Sequence, residues 1–158
     1  MSRITDFTNN QVEIHSFPGM TLSQANKLIE NYPHGADSQD PATQPRDFII
    51  SVGINDRANA SSTIRTCINK MYYSCRRKFP NSRVCMPEVN CDQRLPGANH
   101  ETIRDVNSSI KARFGMDCTI PLLSSSMFNT CAGEKYPFIH WTEQCANAML
   151  KHWLVCLN

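Results

Sequence analysis

Apolar residues fall along the chain into short alternating or continuous runs, separated by stretches in which they recur every three or four positions. Residues 11–17 (QVEIHSF) set Val12, Ile14 and Ser16 against Glu13, His15 and Phe17, the period-two pattern of a strand. Pro18-Gly19 breaks it, and Thr21 stands where it would N-cap a helix carrying Leu22, Ala25, Leu28 and Ile29. Residues 33–46 (PHGADSQDPATQPR) read as an exposed loop. Residues 47–52 (DFIISV) form a short, nearly continuous apolar run, as expected of a central parallel strand covered on both faces. Beyond the loop GINDRANA, a helix is predicted over 61–79. It places Ile64, Cys67, Ile68, Met71, Cys75 and Phe79 on one face, and Arg65, Lys70, Arg76, Arg77 and Lys78 largely elsewhere.

The alternation then repeats. A strand is predicted over 82–86, followed by a polar loop and a helix capped by Asn99 that carries Ile103, Val106, Ile110 and Phe114. Another strand is expected over 117–123, then an irregular stretch, SSSMFNTCAGEKYPF, and a last helix over 141–157. Strands alternating with helices predict an α/β fold, a three-layer parallel sheet within one domain spanning 1–158. In a doubly wound sheet the first strand normally lies in the middle, yet a polar decapeptide precedes the first strand here. The opening strand is therefore expected to be missing and the domain N-terminally incomplete.

Composition narrows the classes. At 158 residues, 41% hydrophobic and 19% charged, the chain has the make-up of an ordinary globular domain. A net charge of +2 gives no reason to expect nucleic acid or an acidic membrane as partner, and the Arg76-Arg77-Lys78 cluster reads as a solvated helix end. No apolar run reaches the roughly 20 residues that span a bilayer, and MSRITDFTNN lacks a signal-peptide segment, so a cytoplasmic setting is the default expectation. Eight cysteines without Cys-x2-Cys spacing are expected to be reduced, packed thiols, with disulfides as the alternative; no metal or other cofactor is expected.

Three local features bear on chemistry. Gly53-Ile54-Asn55-Asp56 directly follows the apolar strand, and a turn there carries an amide into the crevice at a sheet's carboxyl end. Such an amide can donate to charge developing on a carbonyl oxygen. Ile139-His140-Trp141-Thr142 opens the last helix, where a histidine can act as general base. Ser16-Phe17-Pro18-Gly19-Met20 is a strand-to-helix turn whose glycine lets a backbone N–H approach a ligand. Singly these are also a plain turn, a surface or capping histidine, and a tight bend; their order and spacing carry the argument. His152, inside the last helix, reads as packed or solvent-facing.

In that order the three features resemble the SGNH (GDSL-like) hydrolase family over nearly the whole chain. GIND matches the family's Gly-x-Asn-Asp block, which implies that Asn55 is an oxyanion-hole donor. FPGMTL places Gly19 at the family's glycine block as a second donor, and IHWTEQCANAMLKHWL matches the C-terminal block at His140. The set is also similar to SGNH-like domains of mobile elements and phages. The resemblance implies a flavodoxin-like architecture and a carboxylic-ester hydrolase, with a small acylated sugar or lipid as substrate.

Two departures stand out. No Gly-Asp-Ser precedes Gly19, and MSRITDF resembles the text just downstream of that motif, so the chain is expected to begin after the nucleophile's strand. Ser2 is the nearest substitute hydroxyl; Asp37-Ser38 lies in the polar loop. The family's orienting acid stands three before the histidine, where this chain has Pro137, leaving Glu134, six before, as the remaining carboxylate. The readings carried forward are an SGNH-type esterase, active or degenerate, and a non-catalytic binding or structural module on the same fold. A flavodoxin-like phosphate binder lacks any P-loop or G-x-G-x-x-G. A sheet short of its central strand exposes backbone edges, so self-association is expected.

Overall fold

The computed structural model describes residues 14–15, 17, 19–32, 45–131 and 138–158, with the backbone alone for 129–131. Its elements run α1 (Leu22–Glu30), β1 (Asp47–Ile49), α2 (Ser61–Lys78), β2 (Arg83–Pro87), α3 (Gly97–Phe114), β3 (Thr119–Ile120), α4 (Ser125–Cys131) and α5 (Glu143–Leu157), with a 3-10 turn at Ile54–Asp56. The three strands form one parallel sheet in the order β1-β2-β3. The expected α/β class is therefore present.

Side-chain alternation along the strands divides the core between two faces. Phe48, Ile50, Val84 and Met86 join Leu22, Ile29, Ile64, Ile68, Met71, Val106 and Ile110, so α1, α2 and α3 cover one face. On the other face Cys85 and Ile120 meet Leu157, with Ile49 and Trp153 packed against them, so α5 covers it. Helices on both faces explain why β1 and β2 read as continuous apolar runs rather than alternating ones. Arg83 fastens the second layer: its guanidinium bonds Asp47 of β1 at 2.6 Å and the Leu157 carbonyl of α5 at 2.6 Å.

The helices begin largely where their caps require. Thr21 caps α1 in a full capping box with Gln24, and Thr142 caps α5 by accepting from the Cys145 N–H at 3.1 Å. The expected cap at Asn99 is not formed. Pro96 stands at the N-cap with φ −55, Asn99 lies inside the first turn, and its amide reaches the Arg57 carbonyl at 3.4 Å instead. Fixed proline φ sets this start three residues earlier than the asparagine suggested.

β2 matches the strand expected over 82–86 to within one residue, whereas the other strands are shorter than the sequence predicts. Of residues 11–17, Ile14, His15 and Phe17 are described and none belongs to a strand. His15 instead meets the Tyr32 hydroxyl at 3.2 Å, with the two rings edge-on. β1 stops at Ile49, although the Ile50 N–H still donates to the Cys85 carbonyl at 3.0 Å, because the chain turns toward Gly53. Pro87 closes β2 with its ring nitrogen directed to the β1 side, past the last β1 pair, so its missing N–H costs no ladder bond.

β3 is only two residues long, since Pro121 follows it. Side chains take over from the ladder there: Glu88 Oε2 accepts from Leu122 N–H at 3.3 Å, and Asn90 bonds both the N–H (3.2 Å) and the carbonyl (3.1 Å) of Leu123. The stretch expected to be irregular contains α4, which buries Phe128 against Leu123, Cys145 and Met149. The seven described cysteines are free thiols; Cys75, Cys85 and Cys145 are buried.

Candidate functional site

The carboxyl ends of the strands are where an open parallel sheet presents its ligand crevice, and the loops gathered there carry the residues singled out by sequence. After β1 the chain turns at Gly53, whose φ of 131° only glycine adopts without strain. A Cβ there would lie 3.0 Å from Val89 and 3.2 Å from Val106, so the turn is pressed against β2's exit and α3. The turn directs Asn55 toward the start of α1. Its Nδ2 donates to the Met20 carbonyl at 3.0 Å, which brings together the Asn55 amide and the Gly19-Met20 turn. Gly19 itself has φ 74° and is exposed, and its N–H has no partner among the described residues.

Asp56 fixes this arrangement. It is 2% exposed, and its carboxylate accepts from the Leu22 N–H at 2.8 Å and from Asn59 Nδ2 at 2.8 Å. The bond to Leu22 holds an otherwise unpaired donor at the N-terminus of α1, where negative charge is favoured. Burial raises the Asp56 carboxyl above its ordinary value, and the Leu22 and Asn59 hydrogen bonds pull it back down. The sequence reading gave Asp56 no role, although it belongs to the same GIND turn.

At the exit of β2 a second set of side chains orders the loop. Asn107 of α3 bonds Val89 twice, accepting from its N–H at 2.7 Å and donating to its carbonyl at 3.0 Å. Asp92, 6% exposed, takes the Arg94 guanidinium on both oxygens, at 2.8 and 2.6 Å. These bonds from Arg94 hold the Asp92 carboxyl below its ordinary value. Arg94 also lies over the Phe138 ring, 4.1 Å from its centre. Phe138 has φ 62°, an uncommon conformation for a bulky residue, which costs about 1–3 kcal/mol and is sustained only by its surroundings.

His140 follows two residues later, exposed, at the entrance to α5. The Phe138–Arg94 contact brings this segment to the loop after β2, so the structure places Gly19, Asn55 and His140 on loops at one end of the sheet. Gly19 and Asn55 adjoin through Met20; His140 is joined to them only through the β2 loop. Among the described residues His140 makes no hydrogen bond or ion pair. Ser2, Glu134 and Pro137 lie outside the described residues. Sequence reasoning also passed over Asp92, Arg94 and Phe138; their one signal was an Asp-x-Arg in a loop directly after a buried strand.

Other nucleophile–base pairs fare worse. Cys91, in the same loop, is pushed up to about 11, mainly by burial and then by Asp92, so it is a thiol at neutral pH. Cys156 lies 3.9 Å from His152 Nε2, but that nitrogen also faces the Pro121 carbonyl at 2.8 Å. A carbonyl only accepts, so Nε2 carries the proton and cannot take one from Cys156. An open groove of about 770 Å³ runs along α5 beside α4 and is lined by Leu123, Asn147, His152 and Val155.

Among the described residues no cluster of His, Cys, Asp and Glu could hold a metal ion, and no helix is long and apolar enough to cross a membrane. No protein-family model matches the chain, and no curated protein matches it.

Proposed function

We propose that the chain is an SGNH-type acyl-ester hydrolase domain. Gly19 N–H and Asn55 Nδ2 would hold the oxyanion, His140 would act as general base, and the nucleophilic hydroxyl would come from outside the described residues. The observation that carries this reading is the Asn55–Met20 bond of 3.0 Å, which joins the two donor positions through one turn. An amide nitrogen has two hydrogens, so the bond to Met20 leaves Asn55 one N–H for a ligand. The layering supports the same reading: α1, α2 and α3 on one face and α5 on the other is the arrangement of the second half of a doubly wound sheet.

In the proposed reaction the hydroxyl attacks an ester carbonyl while His140 takes its proton. The tetrahedral oxyanion is held by Gly19 N–H and Asn55, and His140 returns the proton to the leaving alcohol. Water then releases the acyl group by the same steps. Fluorophosphonates phosphylate an activated serine irreversibly, so they test the class and locate the nucleophile together. The expected result is one stoichiometric adduct, mapped by peptide mass spectrometry to a single serine and lost in His140→Ala. An unlabelled wild type overturns the reading.

A second reading, a non-catalytic module on the same fold, draws on the same bond. With its amide on Met20, Asn55 already fastens the GIND turn to α1, a purely structural use of the motif. Retention of the fold with no labelling in any variant would favour it.

A further inference from the structure

The whole-chain charge of +2 conceals an uneven distribution. Helices α1, α2 and α3, which form one layer, hold nine lysines and arginines against three carboxylates (Glu30, Glu101 and Asp105), a balance of +6. The rest of the chain holds seven against eleven, a balance of −4. The asymmetry centres on α2, which has five basic residues and no acidic one.

The cations of α2 are not scattered. Its apolar face, with Ile64, Ile68, Met71 and Cys75, is buried in the core. At helical spacing Arg65, Asn69, Tyr73 and Arg76 form one outward row, with Arg77 beside it. Lys70 pairs with Glu30 at 3.7 Å, whereas Arg65, Arg76 and Arg77 enter no ion pair among the described residues. Tyr73 is 57% exposed, unusual for so large a ring. Arg113 of α3 lies across it, 5.3 Å from the ring centre, with Nη1 donating to the Tyr73 hydroxyl at 3.0 Å and Nε to Asn69 at 2.7 Å. The row from Arg65 to Arg77 is about 18 Å long at 1.5 Å per residue.

We propose that the outward face of α2, completed by Arg113, is a binding surface for single-stranded nucleic acid. Unpaired guanidinium groups along a helix face meet successive phosphates, and an exposed tyrosine braced by an arginine offers a base a stacking platform. A lipid surface fits less well. Membrane-seated helices insert an apolar face between headgroups, and here that face is committed to the core. The surface is separate from the proposed ester site, so either reading can fail alone.

The test is fluorescence anisotropy of fluorescein-labelled 12-mers of oligo(dT) and oligo(U), titrated with the full chain. Three phosphate contacts predict saturable binding that weakens by about 10- to 20-fold between 50 and 200 mM salt. Combining Arg65→Gln, Arg76→Gln and Arg77→Gln should abolish binding while leaving the thermal melt unchanged, and Tyr73→Ala should weaken it by about 10-fold. Absence of binding by the wild type, equal binding by the triple variant, or binding to phosphatidylserine vesicles but not to either oligomer would overturn the proposal. Should the triple variant unfold, Arg76→Gln alone still tests it through a reduced salt dependence, and an unchanged one counts against it.

Discussion

Asn90 and Asn107 each present both halves of an amide to one backbone residue, Leu123 and Val89 respectively, and so stand in for missing strand partners. Both are buried, which makes the loss of a partner expensive. Asn107→Ala leaves the Val89 N–H and carbonyl unpaired and is expected to destabilise the fold by about 1–3 kcal/mol. Urea denaturation measures this, and an unchanged midpoint would refute the role given to Asn107. Asp92 makes a pH-dependent contribution of definite sign. Its carboxyl is held below the ordinary value of 3.8, chiefly by the Arg94 hydrogen bonds. The stabilisation is therefore complete above that pH and is lost as pH falls through the lowered value. Asp92→Asn should flatten this acid limb in melts recorded from pH 2 to 5, and an unaltered limb would show that other groups cause it. Thiol reactivity gives a further residue-scale check. Cys156 is exposed, whereas burial pushes Cys75 up to about 12, so a disulfide reagent should modify Cys156 in the folded chain and Cys75 only on unfolding.

Elements with a long one-sided apolar repeat were legible in the sequence. The repeats of α2 and α3 cover five turns each, and their core residues were named correctly. Among the short elements α1 and β2 were also legible, whereas α4 and the ends of β1 and β3 were not. α4 offers only Met127, Phe128 and Cys131 as apolar residues within its seven, too few to show a helical period, and it forms because Phe128 finds a tertiary slot beside Trp141. β1 and β3 were overextended because apolar runs continue beyond their ladders, where the turn at Gly53 and Pro121 end the pairing. The order of motifs along the chain singles out Asn55, Gly19 and His140 as candidates but not Arg94, since its contact with Phe138 joins loops 44 residues apart. Arg94 belongs to this scale as a positioning residue: it holds the strained Phe138 and with it the entrance to α5. Arg94→Ala should lower kcat toward esters by up to about 10²-fold with little change in KM, and Arg94→Lys should restore part of the loss. A change confined to KM would contradict the positioning role.

At the scale of the molecule, the parallel sheet separates two regions of different character. One layer, α1 to α3, is basic on its outer side, while the loops at the strand ends carry backbone donors, amides and a histidine. Average charge predicted neither arrangement, because opposite regional balances cancel in the sum. The layer order and the strand-end loops together make the ester site the central claim, and hydrolysis of p-nitrophenyl acetate by the wild type, His140→Ala and Asn55→Ala tests it most directly. The account predicts turnover above the buffer rate by the wild type. It also predicts a fall of roughly 10²–10⁴-fold without the base, with the wild-type melt kept, and roughly 10²–10³-fold without the oxyanion donor, measured at a temperature where the Asn55→Ala variant is still folded. A wild type no faster than buffer, or a His140→Ala variant as fast as the wild type, would contradict it.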